Sequence, residues 1–261
     1  MRFRTGFAGI AAACLASASA GAIETAEEIQ ACVRRNVEAK SAIQTVVLDA
    51  KDRVGAINRL DAKIYYKKDD QGAMRVLLQI EAPQDLREAA ILLVERGSGQ
   101  DIFMYVPELR RTRRLHGRMV TDTMFGTDFS YEDFRRMQAI GSDLPGERLA
   151  DAEIQGRPVF VVASKMPESA ESIYQRLVAY IDRATCVPLK VEFFQKGDSP
   201  RKVLEADPTQ MIAQKGRQVA KQLVLHDLQT GTETSIAISD LQVDVEIPEK
   251  LFQERTLDQR R

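Results

Sequence analysis

Residues 101–134 read DIFMYVPELRRTRRLHGRMVTDTMFGTDFSYEDF. The stretch opens as a strand at 102–106, stops at Pro107, and then places Arg110, Arg111, Arg113, Arg114 and Arg118 within nine positions. Met124, Phe125 and Gly126 follow, and then an acidic aromatic run from Asp128 through Tyr131, Glu132 and Asp133 to Phe134. Ser130 with Asp133 three residues on is an N-cap pattern, so 131–137 is expected to be a short helix. A strand, a turn, a basic strand and a capped helix in so short a space read as the strand and loop at a rim of the sheet, with 124–134 as a lid.

The same habit extends to both sides. Leu60, Ala62, Ile64 and Tyr66 alternate with Arg59, Asp61, Lys63 and Tyr65; Asp69-Asp70-Gln71-Gly72 then turns the chain, and Met74, Val76, Leu78 and Ile80 take up the alternation. A period of two with one apolar side predicts a hairpin with one buried and one largely wet face. Residues 89–95 and 102–106 pair across Gly97-Ser98-Gly99, and 111–115 is a further short strand. Downstream, 147–154 is expected to pair with 159–166, 174–183 with 189–195, and 218–228 with 232–240. Ten or eleven antiparallel strands result, and a sheet of that size must curl or close. Thr25 followed by Glu28 is a capping box for one amphipathic helix over 25–38, with Ile29 and Val33 on its apolar side.

Residues 1–22 carry Arg2 and Arg4, an apolar run over 6–15, and small residues at Ala18-Ser19-Ala20 and Ala20-Gly21-Ala22, the pattern of a cleaved export signal. Cys14 raises a lipoprotein signal as an alternative, against which Ala11-Ala12-Ala13 lacks the usual larger aliphatic residue. Without Arg2 and Arg4 the 37 basic residues become 35 against 38 acidic, too weak and too acidic a balance for nucleic acid to be the main partner. In an oxidising compartment Cys32 and Cys186 are either bridged or buried as free thiols.

Catalytic chemistry is sparse. His116 and His226 stand far apart, and no spacing of Cys, His and carboxylates suits zinc. Ser98 lies between adjacent glycines in a hairpin, whereas a nucleophile elbow has its glycines two places away. No phosphate loop is present. Neither a metal, a cofactor nor an enzymatic activity is therefore expected.

What remains is an apolar sheet face with little helix to cover it. Leu60, Ile64, Val76, Leu78, Ile80, Leu93, Met104, Val161, Val191 and Phe193, with Met124 and Phe125 from the central stretch, are the expected lining. The sheet either fills its own interior or encloses space for a hydrophobic ligand. For Arg110, Arg111, Arg113 and Arg114 three readings stand. They are a charged edge strand that resists aggregation, a site for a partner or an anionic headgroup, or partners of Asp122, Asp128, Glu132 and Asp133 that close the loop.

The run 101–109 followed by the arginines resembles the strand, proline and basic pattern of the LolA-like family of outer membrane lipoprotein-sorting proteins. Phe125-Gly126-Thr127-Asp128-Phe129-Ser130-Tyr131-Glu132-Asp133 is similar to that family's Gly-Ser/Thr-Asp-Phe-Ser-Tyr-Glu-Asp hallmark. Tyr180-Ile181-Asp182 and the run 188–194 also fit. The resemblance implies a mainly β, α+β fold over residues 23–261: a large antiparallel sheet curled into an incomplete barrel, capped by an N-terminal helix and short helices, with an apolar cavity. It further implies a monomeric periplasmic carrier of lipids or lipoprotein acyl chains that touches membranes transiently and serves an inner-membrane exporter of RND or MMPL type. The alternative is an accessory module that docks on such a transporter and carries no ligand.

Overall fold

The computed structural model describes residues 23, 25–37, 39–97, 99–138, 144–167 and 172–258. The export signal expected at 1–22, with Cys14, and Ser98 in its hairpin lie outside them.

Helix α1, Ala26–Val37, starts where its capping box places it: Thr25 N donates to Glu28 Oε2 at 3.0 Å and Glu28 N to Thr25 Oγ1 at 3.2 Å. Then come β1 Ser41–Lys51, β2 Ile57–Lys68, β3 Met74–Ala82, β4 Ala90–Arg96, β5 Gly99–Val106 and β6 Arg111–Leu115. A 3₁₀ turn and a loop lead to α2, Tyr131–Gln138. The second half holds β7 Gly146–Ile154, β8 Arg157–Lys165, β9 Arg176–Asp182, β10 Pro188–Phe194 and β11 Lys202–Ala206. After these, β12 Met211–Gln214 and β13 Arg217–Ala220 form a separate hairpin, and β14 Gln222–Asp227 and β15 Thr232–Val243 return to the main sheet.

Thirteen antiparallel strands make one sheet in the order β6-β5-β4-β3-β2-β1-β15-β14-β11-β10-β9-β8-β7. Two meanders therefore join in the middle, where β1 pairs with β15, and the sheet stays open, with β6 and β7 as its two edges. The consecutive strands β6 and β7 lie at opposite edges, so the chain between them must cross the whole sheet.

A single apolar cluster takes side chains from β1 to β6 at one end and from β9, β10, β11, β14 and β15 at the other, together with Val120, Met124, Phe129 and Phe134 of the crossing segment. Strands so far apart in the order share one cluster only because the sheet is curled with this face concave. The opposite face is not the wet surface that alternation suggested. Leu77, Leu92, Val94, Phe103 and Tyr105 are buried there under Ile247, Phe252 and Leu257 of the C-terminal segment. Helix α1 covers Phe160, Val162 and Ile181 at the β7 end, pinned by a Cys32–Cys186 disulfide with Cα atoms 5.7 Å apart.

Among the described residues there are fifteen strands rather than ten or eleven. Strand β1 was missed because Gln44, Thr45 and Asp49 interrupt its apolar alternation, and β11 and β12 are short; the single strand expected over 218–228 divides into β13, which pairs with β12, and β14, which alone pairs with β15.

Candidate functional site

The crossing segment lies on the concave face. Met124 and Phe129 are 3 % and 1 % exposed, and Phe134 is buried beside them. Its path is set locally: Met124 N donates to Phe129 O at 2.7 Å and Thr127 Oγ1 to Met124 O at 2.8 Å, which close a tight loop. Gly126 turns that loop at φ +74°, where a Cβ would also meet Asn58 Nδ2 at 3.0 Å. Helix α2 is capped as its sequence proposes, with Ser130 N donating to Asp133 Oδ2 at 2.8 Å and Asp133 N to Ser130 Oγ at 3.1 Å.

The acidic residues of the segment are its attachments. Asp128 accepts hydroxyl bonds from Thr232 and Thr234 of β15, and its N donates to Thr234 Oγ1 at 2.9 Å. Lys202, which opens β11, reaches inward to Asp128 O at 2.7 Å and Asp133 Oδ2 at 2.6 Å. Tyr174 OH donates to Asp133 Oδ1 at 2.6 Å, while Glu132 accepts from Ser172 and from Ile173 N. Glu132 and Asp133 are fully buried, and Lys202 is nearly so. Burial in low dielectric, reinforced by the Asp133 carboxylate, pushes the Tyr174 phenol far above its ordinary range. Burial, with Asp122 adding to it, pushes Tyr131 up to about 12. Paired and hydrogen-bonded in this way, the buried charges are tolerable; left single they would not be.

These attachments exclude the third reading of the arginine run. Asp128, Glu132 and Asp133 bond to distant strands, to the 172–174 loop and to α2's own Arg136, not to 110–118. Arg114 pairs instead with Asp101, which Arg96 also reaches at 3.2 Å. Arg110 is not in the strand at all but ends the 3₁₀ turn at φ 47°. Arg111 and Arg113 stand on β6, the free edge, and Arg113 Nε and Thr112 Oγ1 are buried without a hydrogen-bond partner.

Of the expected lining, Leu60, Val76, Leu78, Ile80, Leu93, Met124, Val191 and Phe193 are buried in the concave cluster, and Ile64, Met104 and Phe125 are partly exposed against it. Val161 lies elsewhere. In β8 the alternation gives Phe160 and Val162 to the side under α1, so Val161 packs on the other side with Val159, Val178 and Leu189. Leu60, Val76, Ile80, Leu93 and Phe193 are each no more than 1 % exposed, so no water-sized void touches them in this conformation. The crossing segment fills the space that a ligand would take.

Lys202, Tyr174, Thr234 and Asn58 were not anticipated as functional. The signal for Lys202 was there: it shares strand parity with Leu204, and a lysine at an inward position requires a buried carboxylate. Asn58 Nδ2 donates to Phe125 O at 3.2 Å, and a cavity of about 270 Å³ lies between that strand end and the Gly126 loop.

Three solved structures share the architecture. An outer membrane lipoprotein-sorting protein domain from Vibrio parahaemolyticus is 23 % identical, with a TM-score of 0.78 over 89 % of this chain and 97 % of that one. A DUF1329 family protein from Desulfovibrio piger is 19 % identical, with a TM-score of 0.82 over 88 % and 97 %. A LolA superfamily protein from Nitrosomonas europaea is 18 % identical, with a TM-score of 0.68 over 88 % and 98 %. None of the curated proteins matches the chain in sequence. The model of a family described as an uncharacterized protein matches residues 72–259, from the turn before β3 to the C-terminal segment. With more than half of its length matched, the chain belongs to that uncharacterized family, and its fold is LolA-like.

Proposed function

We propose that this protein is a periplasmic carrier that holds a lipid or an acylated hydrophobic molecule on the concave face of its open sheet. It passes that cargo between an inner-membrane exporter of RND or MMPL type and the outer membrane. One observation supports this most strongly: the apolar face of an unclosed sheet is covered by one crossing segment that is fixed by a compact set of polar bonds. A filled core needs no such arrangement. Met124, Phe129 and Phe134 occupy the face, and an acyl chain that displaced them would replace their burial at roughly 0.8 kcal/mol per methylene. The export signal pattern at 1–22 supports the compartment, and the name of the Vibrio relative supports the class of cargo. Loading and release need no covalent chemistry.

Solvent extraction of protein taken from its own periplasm, followed by titration of the delipidated chain with a fluorescent fatty acid, tests the reading. Extractable lipid and saturable binding are expected; neither lipid nor binding would overturn it.

The free edge β6 favours a second reading, docking on a transporter without a ligand. A cavity of about 610 Å³ beside that edge is lined by Arg96, Arg111, Arg114 and Arg255 together with the acids Asp101, Glu254 and Asp258. On this reading Arg111→Glu with Arg113→Glu abolishes pull-down of the transporter and leaves fatty-acid binding unchanged.

A further inference from the structure

Five large apolar side chains are exposed among the described residues, and four of them lie in or beside turns at one end of the sheet. Val54 is 88 % and Ile57 63 % exposed at the β1–β2 turn, Leu228 is 55 % exposed at the β14–β15 turn, and Leu109 is 43 % exposed at the β5–β6 turn. The fifth, Leu149, is on edge strand β7. Single exposed apolar residues need no explanation; four on one rim do.

The most prominent turn is held out rather than loose. Residues 51–59 are exposed without a break. Asp52 Oδ1 accepts from Val54 N at 2.9 Å and from Ala56 N at 2.8 Å, which fixes the loop. The Arg53 guanidinium donates to Thr230 O and ties this turn to its neighbour between β14 and β15. Val54 is therefore presented to solvent by an ordered turn, with its orientation already fixed before any contact.

We infer that this rim is the end of the protein that rests on a lipid bilayer, with Val54, Ile57 and Leu228 entering the interfacial layer. The inference deepens the carrier reading and rests on it. Spacing favours a bilayer over a protein groove. At about 4.8 Å per strand, the turns bearing Leu228, Val54 with Ile57, and Leu109 are spread over roughly 30 Å of arc. A flat apolar phase meets such a row at once, whereas a protein anchor site gathers its contacts in one pocket. Two of the basic residues nearby are already engaged, Lys51 with Glu233 at 3.3 Å and Arg59 with Asp49 at 3.8 Å, which leaves the apolar side chains to lead the contact.

The same end fastens the crossing segment. Asn58, one residue beyond Ile57, holds Phe125 O, and the cavity of about 270 Å³ between them is lined by Ile57, Asn58, Gly126 and Thr127. A bilayer touching the rim therefore meets the attachment of the segment that covers the concave face, which places acyl chains next to the point of loading.

The chain contains no tryptophan, so one introduced residue reports alone. Val54→Trp is expected to shift its emission to the blue on addition of phosphatidylethanolamine and phosphatidylglycerol vesicles. Gln71→Trp, in the exposed β2–β3 turn at the opposite end, should not. The shift should persist at about 1 M salt, where charges are screened beyond about 3 Å. In the otherwise unaltered chain, Val54→Ser with Ile57→Ser and Leu228→Ser should lower flotation with vesicles about tenfold while the thermal midpoint holds. No shift at position 54, an equal shift at 71, or undiminished flotation of the triple variant would overturn the inference. Fatty-acid binding measured without vesicles separates the two readings. Its absence beside a normal shift refutes the carrier and upholds the rim contact, and the reverse pattern refutes the contact alone.

Discussion

The arginine run at 110–118 and the acidic run at 128–133 are neighbours in the chain and similar in charge density, yet they meet opposite fates. The arginines stay on the free edge, where Arg111 and Arg114 are exposed and the one close pairing, Arg114 with Asp101, is half in solvent. The acids are withdrawn from water: Glu132 and Asp133 are fully buried, both held by the 172–174 loop, and Asp133 also by Lys202 of β11. Charge in a sequence therefore says little about exposure. What separates the two runs is topology, since an edge strand borders solvent whereas a chain linking the two edges must cross the interior.

The largest effect is expected at Lys202. Lys202→Ala leaves Asp133 buried with a single hydroxyl partner and the helix cap, and is expected to cost about 3–5 kcal/mol, read as a lowered urea midpoint. A loss under about 1 kcal/mol would mean that the carboxylate finds water.

Alkali should loosen the same site. The phenols of Tyr174 and Tyr131 sit above their ordinary value, so the folded chain favours their neutral forms. That contribution is complete below about pH 10 and is lost as pH rises toward the folded values. The thermal midpoint is expected to fall through that window, and Tyr174→Phe should blunt the fall, leaving Tyr131 as the smaller remaining source.

The smallest effect belongs to the edge. Arg111→Glu, at an exposed position, should change stability by no more than about 0.5 kcal/mol, and adding Arg113→Glu tests its half-buried neighbour. A large loss would show that Arg113, whose Nε is buried without a partner, is structural after all.

These contrasts also explain what the sequence could disclose. The hairpins 60–80, 89–106 and 147–166 were legible because alternation and turn residues are local, as were the capping boxes at Thr25 and Ser130. The pairing of β1 with β15 was not, because strands some 190 residues apart meet only through the closure of two meanders. The covering of the convex face was hidden for the same reason: Ile247, Phe252 and Leu257 lie in a stretch without regular period. At the site, the apolar lining followed from strand parity, and Val161 failed where α1 takes the other side of β8. The partners of the acidic run come from β11, β15 and the 172–174 loop, so proximity in sequence pointed toward the arginines instead.

If the protein carries a lipid as proposed, the crossing segment leaves the concave face when cargo binds. Hydrogen exchange followed by mass spectrometry, on the chain alone and saturated with palmitate, measures this directly. Peptides covering 122–134 are expected to lose protection on binding while those of β6 are unchanged. Palmitate bound with undiminished protection across 122–134 would contradict it.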